Sequence, residues 1–368
     1  MEITYRFLDT ESDSDISQWL DLYSVCFQQE ITRNFWDYIH LKNPFYKKTK
    51  PLIFIAQADG KIVGSLSAIP SPLAEYPKDT IILHDSLLIC KGMVHPEYQK
   101  KGIFGHLLKK AMKTAESEEY DFVLTISNNF YSYQSFIRNG FHDIAAMRWS
   151  RLFLSRDTVF SAYIEALLLP RAVKKMFLFS CTYCYSRLVP RKNHSYQIKY
   201  GDAPEFIEEI ENFYASTHQN EGLYGSRATA FNRWKFREGV SFKCFTICER
   251  ETMLGYAIVQ LKERNAYIID IGFSGNKKKV IAELIGGIST TLKEYNFQTV
   301  WTYMVENDTI LSNFFTLRHG FFIRSSNAGK LKKSRLLVYP LKKTPAQSST
   351  LDKNTWNIQA VDTCLFLE

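Results

Sequence analysis

The chain has no hydrophobic run approaching the roughly 20 residues that cross a bilayer as a helix. An integral membrane segment is therefore not expected. Its first residues, Met1-Glu2-Ile3-Thr4-Tyr5-Arg6, lack a basic segment followed by an apolar core, so no secretory signal is expected either. Seven cysteines are present, Cys26, Cys90, Cys181, Cys184, Cys244, Cys248 and Cys364. An odd count among apolar and aromatic neighbours suits reduced thiols in a cytoplasm and argues against a disulfide framework. Cys181 and Cys184 have Cys-x-x-Cys spacing, but no second Cys or His pair completes a zinc site, so no metal is expected. Lysines are spread along the chain rather than concentrated in one element, which argues against nucleic acid as a partner.

What is present points to packed cores. Of 368 residues, 45% are hydrophobic and 15% aromatic, which excludes global disorder and allows two domains. The formal net charge of +8 suits an anionic partner, and a phosphate-rich cofactor suffices to explain it.

One stretch carries most of the information. Leu87-Leu88-Ile89-Cys90 is apolar enough for a buried strand, and Pro96 stops it. Gln99-Lys100-Lys101-Gly102-Ile103-Phe104-Gly105 follows. Beyond it Ile103, Leu107, Leu108 and Ala111 share one helical face, with Lys109, Lys110 and Lys113 on the other. Strand, glycine-bearing basic turn and helix start together make an anion cradle, because the free N–H groups and the positive end of the helix dipole converge. Phe122-Val123-Leu124-Thr125-Ile126 predicts the next strand. Asn129 then lies seven residues before Phe136, with Gly140-Phe141 just beyond.

This pattern resembles the GNAT acyltransferases. Gln99, Gly102 and Phe104 fall on the three positions of their Arg/Gln-x-x-Gly-x-Gly/Ala signature, after a strand ending Val94-His95-Pro96. Phe104 departs from the usual small residue. Asn129, Phe136 and Gly140-Phe141 match the downstream Asn, Tyr and Gly-Phe, with phenylalanine in place of the tyrosine. The resemblance implies acyl-CoA as co-substrate, with Met93 and Val94 along the pantetheine arm and Gln99, Lys100, Lys101, Gly102, Ile103 and Phe104 around the pyrophosphate. Asn129 and Phe136 would complete the cofactor set. It also implies direct attack of an amine on the thioester. Phe136 stands where the family keeps its general acid, so Tyr133, one helical turn earlier, is the candidate acid, with Tyr131 beside it. Candidate bases are His84 and Asp85, just before the signature, His84 for its pKa range; a water chain is the alternative.

The remainder reads as a second copy of the same unit. Phe231-Asn232-Arg233-Trp234 echoes Phe35-Trp36-Asp37-Tyr38. The hairpin around Phe245 and Gly255 echoes that from Phe54 to Leu66, and Leu317-Arg318-His319-Gly320-Phe321 echoes Ile137 to Phe141. Its turn, Ser274-Gly275-Asn276-Lys277-Lys278-Lys279, lacks the signature glycine. The expected architecture is α+β, with two GNAT-like lobes of mixed, mostly antiparallel sheets flanked by helices, the second degenerate. An acyl-CoA-binding lobe spans 1–150, a helical linker 151–195, the degenerate lobe 196–343, and an apolar tail from 344 to 368 docks back. The linker helices have basic ends; an interfacial membrane helix or a homodimer contact are alternative readings. His218, Tyr224 and Arg227 are candidate acceptor contacts.

The tandem layout and the Trp356-to-Asp362 tail resemble proteins of bacterial surface-polysaccharide pathways. The implied acceptor is the amino group of a nucleotide-linked amino sugar, for O-antigen or capsule synthesis in the cytoplasm. Two other readings stand beside it: an acyltransferase for a peptide, protein or aminoacyl-tRNA-linked amine, and a non-catalytic acyl-CoA sensor.

Overall fold

The structure is a computed structural model. It describes residues 2–47, 51–75, 81–154, 170, 172–174, 176, 196–217, 223–236, 240–274, 277–306, 309–316, 321–324, 333–341 and 356–359. The linker helices expected at 157–190 lie almost entirely outside these residues.

The first lobe begins with β1 (Ile3–Phe7), α1 (Asp13–Phe27) and α2 (Arg33–Leu41). Ser12 and Thr32 cap the two helices, their hydroxyls accepting from the N–H groups of Asp15 and Phe35. The hairpin of β2 (Leu52–Ala58) and β3 (Lys61–Pro70) turns at Asp59 and Gly60. Both have positive φ, 48° and 78°, as a tight hairpin matching the strand twist needs. Then come β4 (Leu73–Glu75), β5 (Ile82–His84), β6 (Ser86–Val94), α3 (Ile103–Ser117), β7 (Phe122–Ser127), α4 (Phe130–Arg138) and the long β8 (His142–Phe153).

The order then repeats. β9 (Gln197–Asp202), α5 (Ile207–Thr217), β10 (Leu223–Gly225) and α6 (Thr229–Lys235) lead to β11 (Phe242–Glu249), β12 (Thr252–Lys262) and β13 (Asn265–Phe273). α7 (Lys277–Glu294), β14 (Thr299–Val305), α8 (Thr309–Phe314) and β15 (Phe321–Arg324) follow. β16 (Arg335–Pro340) and β17 (Trp356–Asn357) close the described chain.

Among the described residues, the lobes share one sheet of 13 strands, mostly antiparallel and flanked by helices, rather than having a sheet each. They are joined by an exchange of strands. β8 leaves the first lobe, and its second half pairs with β14 of the second lobe, from Met147↔Val305 to Phe153↔Thr299. β16 returns from the second lobe and inserts between β7 and the first half of β8. The boundaries drawn at residues 150 and 343 are thus crossed in both directions. Hydrophobic pattern sets which face of a strand is buried, but not which lobe supplies its neighbour.

A second, four-stranded sheet, β17-β10-β4-β5, also bridges the lobes. Here α2 meets its counterpart α6: Phe35 and Ile39 pack with Phe231 and Trp234, and the Trp234 indole N–H donates to the Tyr38 carbonyl at 3.2 Å. In the first lobe, α3 covers one face of the main sheet with Leu107, Leu108 and Ala111, while Trp19 and Trp36 of α1 and α2 cover the other.

Candidate active site

β6 and β7 run parallel and pair from Ser86↔Phe122 to Ile89↔Thr125, then part. The parting starts at a bulge in β6. Against β3 its register slips between Ser67↔Cys90 and Ser65↔Met93, and Lys91 adopts a left-handed φ of 49°. An extra residue bends a strand away from its neighbour and re-aims the side chains on it. The gap opens into a cavity of about 980 Å³, lined by Cys90, Lys91, Gly92 and Val94 on one side and Ile126 to Asn129 on the other.

The start of α3 borders this cavity. Lys100 and Gly102 are left-handed, with φ of 63° and 79°, so the turn folds back under the helix. Gly102 is the N-cap and has no side chain to satisfy the first-turn N–H groups, which leaves them for an anion. A Cβ there would meet nothing nearer than His106 Nδ1 at 3.7 Å. The backbone angle, not crowding, calls for glycine. The Gln99 amide ties the turn to the strand end by donating to the Val94 carbonyl at 3.4 Å.

Phe104, the departure from the signature, fills space beside Gly92. A Cβ on Gly92 would lie 2.8 Å from its ring. Its other neighbour is Phe136, edge-on with centroids 5.4 Å apart, so the two phenylalanines pack as a pair. Both line the cavity. The Asn129 side chain caps α4, accepting from the Tyr131 N–H at 2.8 Å.

Of the residues expected around the cofactor, Val94, Gln99, Lys100, Gly102, Ile103, Phe104, Asn129 and Phe136 line this cavity. Two do not. Met93 is buried on the opposite face beside Trp19 and Ile53, because strand alternation turns it away from Val94. Lys101 lies over the Tyr98 ring, 4.5 Å from its centroid.

The acid–base candidates lie elsewhere. Tyr133 is on α4, but its hydroxyl donates to Asp143 at 2.9 Å, and Arg335 pairs with the same carboxylate at 2.7 Å. Burial and then that carboxylate push its phenol upward. The α4 side chains that do face the cavity are Tyr131, Ser132, Ser135 and Phe136. His84 ends β5 in the four-stranded sheet, 3.5 Å from Glu75. Asp85 precedes β6 at the end remote from the gap and pairs with Lys47 at 2.8 Å. The apolar run through Ile82 and Leu83 reads as one strand with Leu87 and Leu88, but the chain breaks at Asp85 and its two halves join different sheets.

Arg227 is interior: 1% exposed, it holds Asp270 with two bonds of 2.8 and 2.9 Å, and Tyr256 donates to the same carboxylate. It braces the second lobe. Tyr224 sits in β10, paired with Ala74 of β4. His218 lies outside the described residues. Tyr23, Phe27, Gln29 and Lys91 line the cavity without having been singled out from sequence. The one available signal was a lysine interrupting a buried apolar strand.

The second lobe repeats the gap and fills it. β13 and β14 pair in parallel from Asn265↔Thr299 to Ile268↔Thr302 and then separate. The tail enters between them. The Gln359 side chain donates to the Ile271 carbonyl and accepts from the Ile271 N–H, both at 2.9 Å. Gln359 bridges Met304, and the Val305 N–H donates to the Ile358 carbonyl at 3.2 Å.

Residues 8–137 match the acetyltransferase (GNAT) domain. The first lobe carries a GNAT domain. The enzyme class that follows is an acyl-CoA-dependent N-acyltransferase, as the signature implied. No curated relative matches the chain in sequence. Among solved structures, a tandem GNAT protein from the clavulanic acid biosynthesis pathway superimposes with a TM-score of 0.58 at 13% identity, over 93% of this chain and 100% of that one. N-myristoyltransferase of Saccharomyces cerevisiae, solved with myristoyl-CoA, gives 0.60 at 12% identity, over 92% and 80%. A probable N-acyltransferase from Enterococcus faecalis V583 gives 0.61 at 12%, over 93% and 73%. At such identities these likenesses establish the two-lobed fold alone.

Proposed function

We propose that the chain transfers an acyl group from acyl-CoA to the amino group of a nucleotide-linked amino sugar. The observation that carries the transfer is the parting of β6 and β7 over the Gly102 turn. A slot between two strand ends offers backbone amides to the pantetheine arm, and the start of α3 offers N–H groups to the pyrophosphate. The thioester then lies in the gap, open to an amine from the α1 and α2 face. The amine lone pair attacks the carbonyl carbon, the C–S bond breaks, and the sulfur leaves as thiolate. A thiol of pKa near 8.5 is a tolerable leaving group without a dedicated acid. Among the described residues, the lining of the cavity contains no Asp, Glu or His. In this reading the proton released by the amine passes to water. The acceptor class rests on the basic, aromatic-rich composition and on the resemblance of the tandem layout and tail.

The second lobe, in this reading, takes no acyl-CoA and serves the acceptor side. Its gap is closed by Ile358 and Gln359.

One observation favours a second reading, an acyl-CoA sensor. Phe136 is buried where an acid is expected. CoA release from acetyl-CoA and longer acyl-CoAs, measured against a panel of free and nucleotide-linked amino sugars, decides. Acceptor-dependent release supports transfer; tight acyl-CoA binding with no release for any amine supports the sensor.

A further inference from the structure

Among the described residues, the charged side chains lining the cavity are two lysines, Lys91 and Lys100. They stand on opposite sides of the sheet. Lys100 is in the turn before α3, beside the pyrophosphate cradle. Lys91 is on the bulge of β6, with its ammonium 5.2 Å from the ring centroid of Tyr23 on α1. Its charge reaches α2 as well. His40 there is driven down to about 3, first by burial and then by Lys91. The bulge holds Lys91 in a left-handed conformation that a lysine adopts at some cost. Gln29, two residues beyond the end of α1, lines the same cavity.

We propose that Lys91 is the recognition point for an anionic group carried by the acyl acceptor. This rests on the transfer reading above and deepens it: the negative group of the acceptor, a phosphate or a carboxylate, is read by Lys91. The reasoning is electrostatic. Two lysines at the described lining disfavour an ammonium ion and favour the neutral, nucleophilic form of an amine. An acceptor that also carries a negative group recovers the attraction that its amine lacks. The Tyr23 ring fixes the ammonium from one side, so the charge is presented where the ligand passes rather than swept through solvent. A partly buried cation also keeps more of its attraction than a surface one does in salt.

The test uses the full-length protein saturated with acetyl-CoA, so that the cradle is already filled. Glucosamine, glucosamine 6-phosphate, glucosamine uronic acid and UDP-glucosamine are titrated by calorimetry, with CoA release measured in parallel. The anionic amines are expected to bind at least 10-fold more tightly than glucosamine. Lys91→Gln should erase that preference and leave acetyl-CoA affinity unchanged, and Lys91→Arg should restore most of it. Lys91→Asn, which tolerates the left-handed backbone, guards against a folding defect in the glutamine variant. The phosphate and uronate arms tell which anion is read. Equal binding of neutral and anionic amines, including binding of none, overturns the proposal. So does loss of acetyl-CoA affinity in Lys91→Gln, which would assign Lys91 to the cofactor. Failure of the wild-type protein to bind acetyl-CoA would instead remove the transfer reading on which this one rests.

Discussion

At the scale of single residues, Gly102 and Tyr133 make opposite points about inference from spacing. Gly102 is where the signature puts it, and its φ of 79° explains the residue type. Gly102→Asp should leave the fold intact, because aspartate is among the side chains that visit the left-handed region. It would set a carboxylate at the proposed pyrophosphate site. Acyl-CoA affinity should fall at least about 100-fold, or roughly 2.7 kcal/mol, while Gly102→Asn keeps most of it. Calorimetry on both folded variants checks this, and unchanged affinity in the aspartate variant would remove the cradle. Tyr133 lies one turn before Phe136 on α4. One turn of helix leaves a residue free to face either the cavity or the neighbouring strand, and Asp143 draws it to the strand. Tyr133→Phe should therefore cost stability, about 1.5–3 kcal/mol for a hydrogen bond to a charged group. Turnover should stay within about threefold from pH 6 to 9. A true acid would cost 10²–10⁴-fold, and a loss of that size would return Tyr133 to the chemistry.

At the scale of elements, local patterns were legible and pairings between distant elements were not. The cradle is contiguous in sequence, so its strand, turn and helix could be read from Leu87 to Ala111. The hairpin at Asp59-Gly60 is equally local. The gap itself depends on a bulge at Lys91, which no periodicity marks. The role of Arg227 depends on Asp270, 43 residues away, and so a buried brace looked like a surface contact. The second lobe shows the same division. Its missing glycine was readable, but the filling of its gap by Gln359 was not. Gln359→Ala removes both bonds to Ile271 and leaves a buried N–H and carbonyl unpaired, at about 1–3 kcal/mol for each. Denaturant unfolding should show that loss. Acyl-CoA stoichiometry should remain one per chain in the wild type and in the variant. Two equivalents in the wild type would contradict a closed second lobe.

At the scale of the whole molecule, the exchanged strands make the lobes interdependent. β16 supplies one neighbour each to β7 and β8, with six register pairs along β7 from Arg335↔Ser127 to Pro340↔Phe122. Without it, the strand that forms one wall of the cavity would present an open edge of N–H and C=O groups, which invites aggregation. The second half of β8 does the same service for β14. A fragment ending at residue 154 therefore retains the entire signature and still lacks the support of β7. It should fail to bind acyl-CoA, and it should be aggregated or expanded in solution. The complementary fragment from residue 155 onward carries β16 but lacks β8, so it should fare no better alone. Produced together, the two should associate and recover acyl-CoA binding, because each holds the strand the other needs. The intact chain should unfold in a single transition. Size-exclusion chromatography and calorimetry on the fragments, separately and mixed, check this. A monomeric 1–154 fragment with native affinity for acyl-CoA would show that the first lobe is autonomous and that the exchange of strands is incidental to its site.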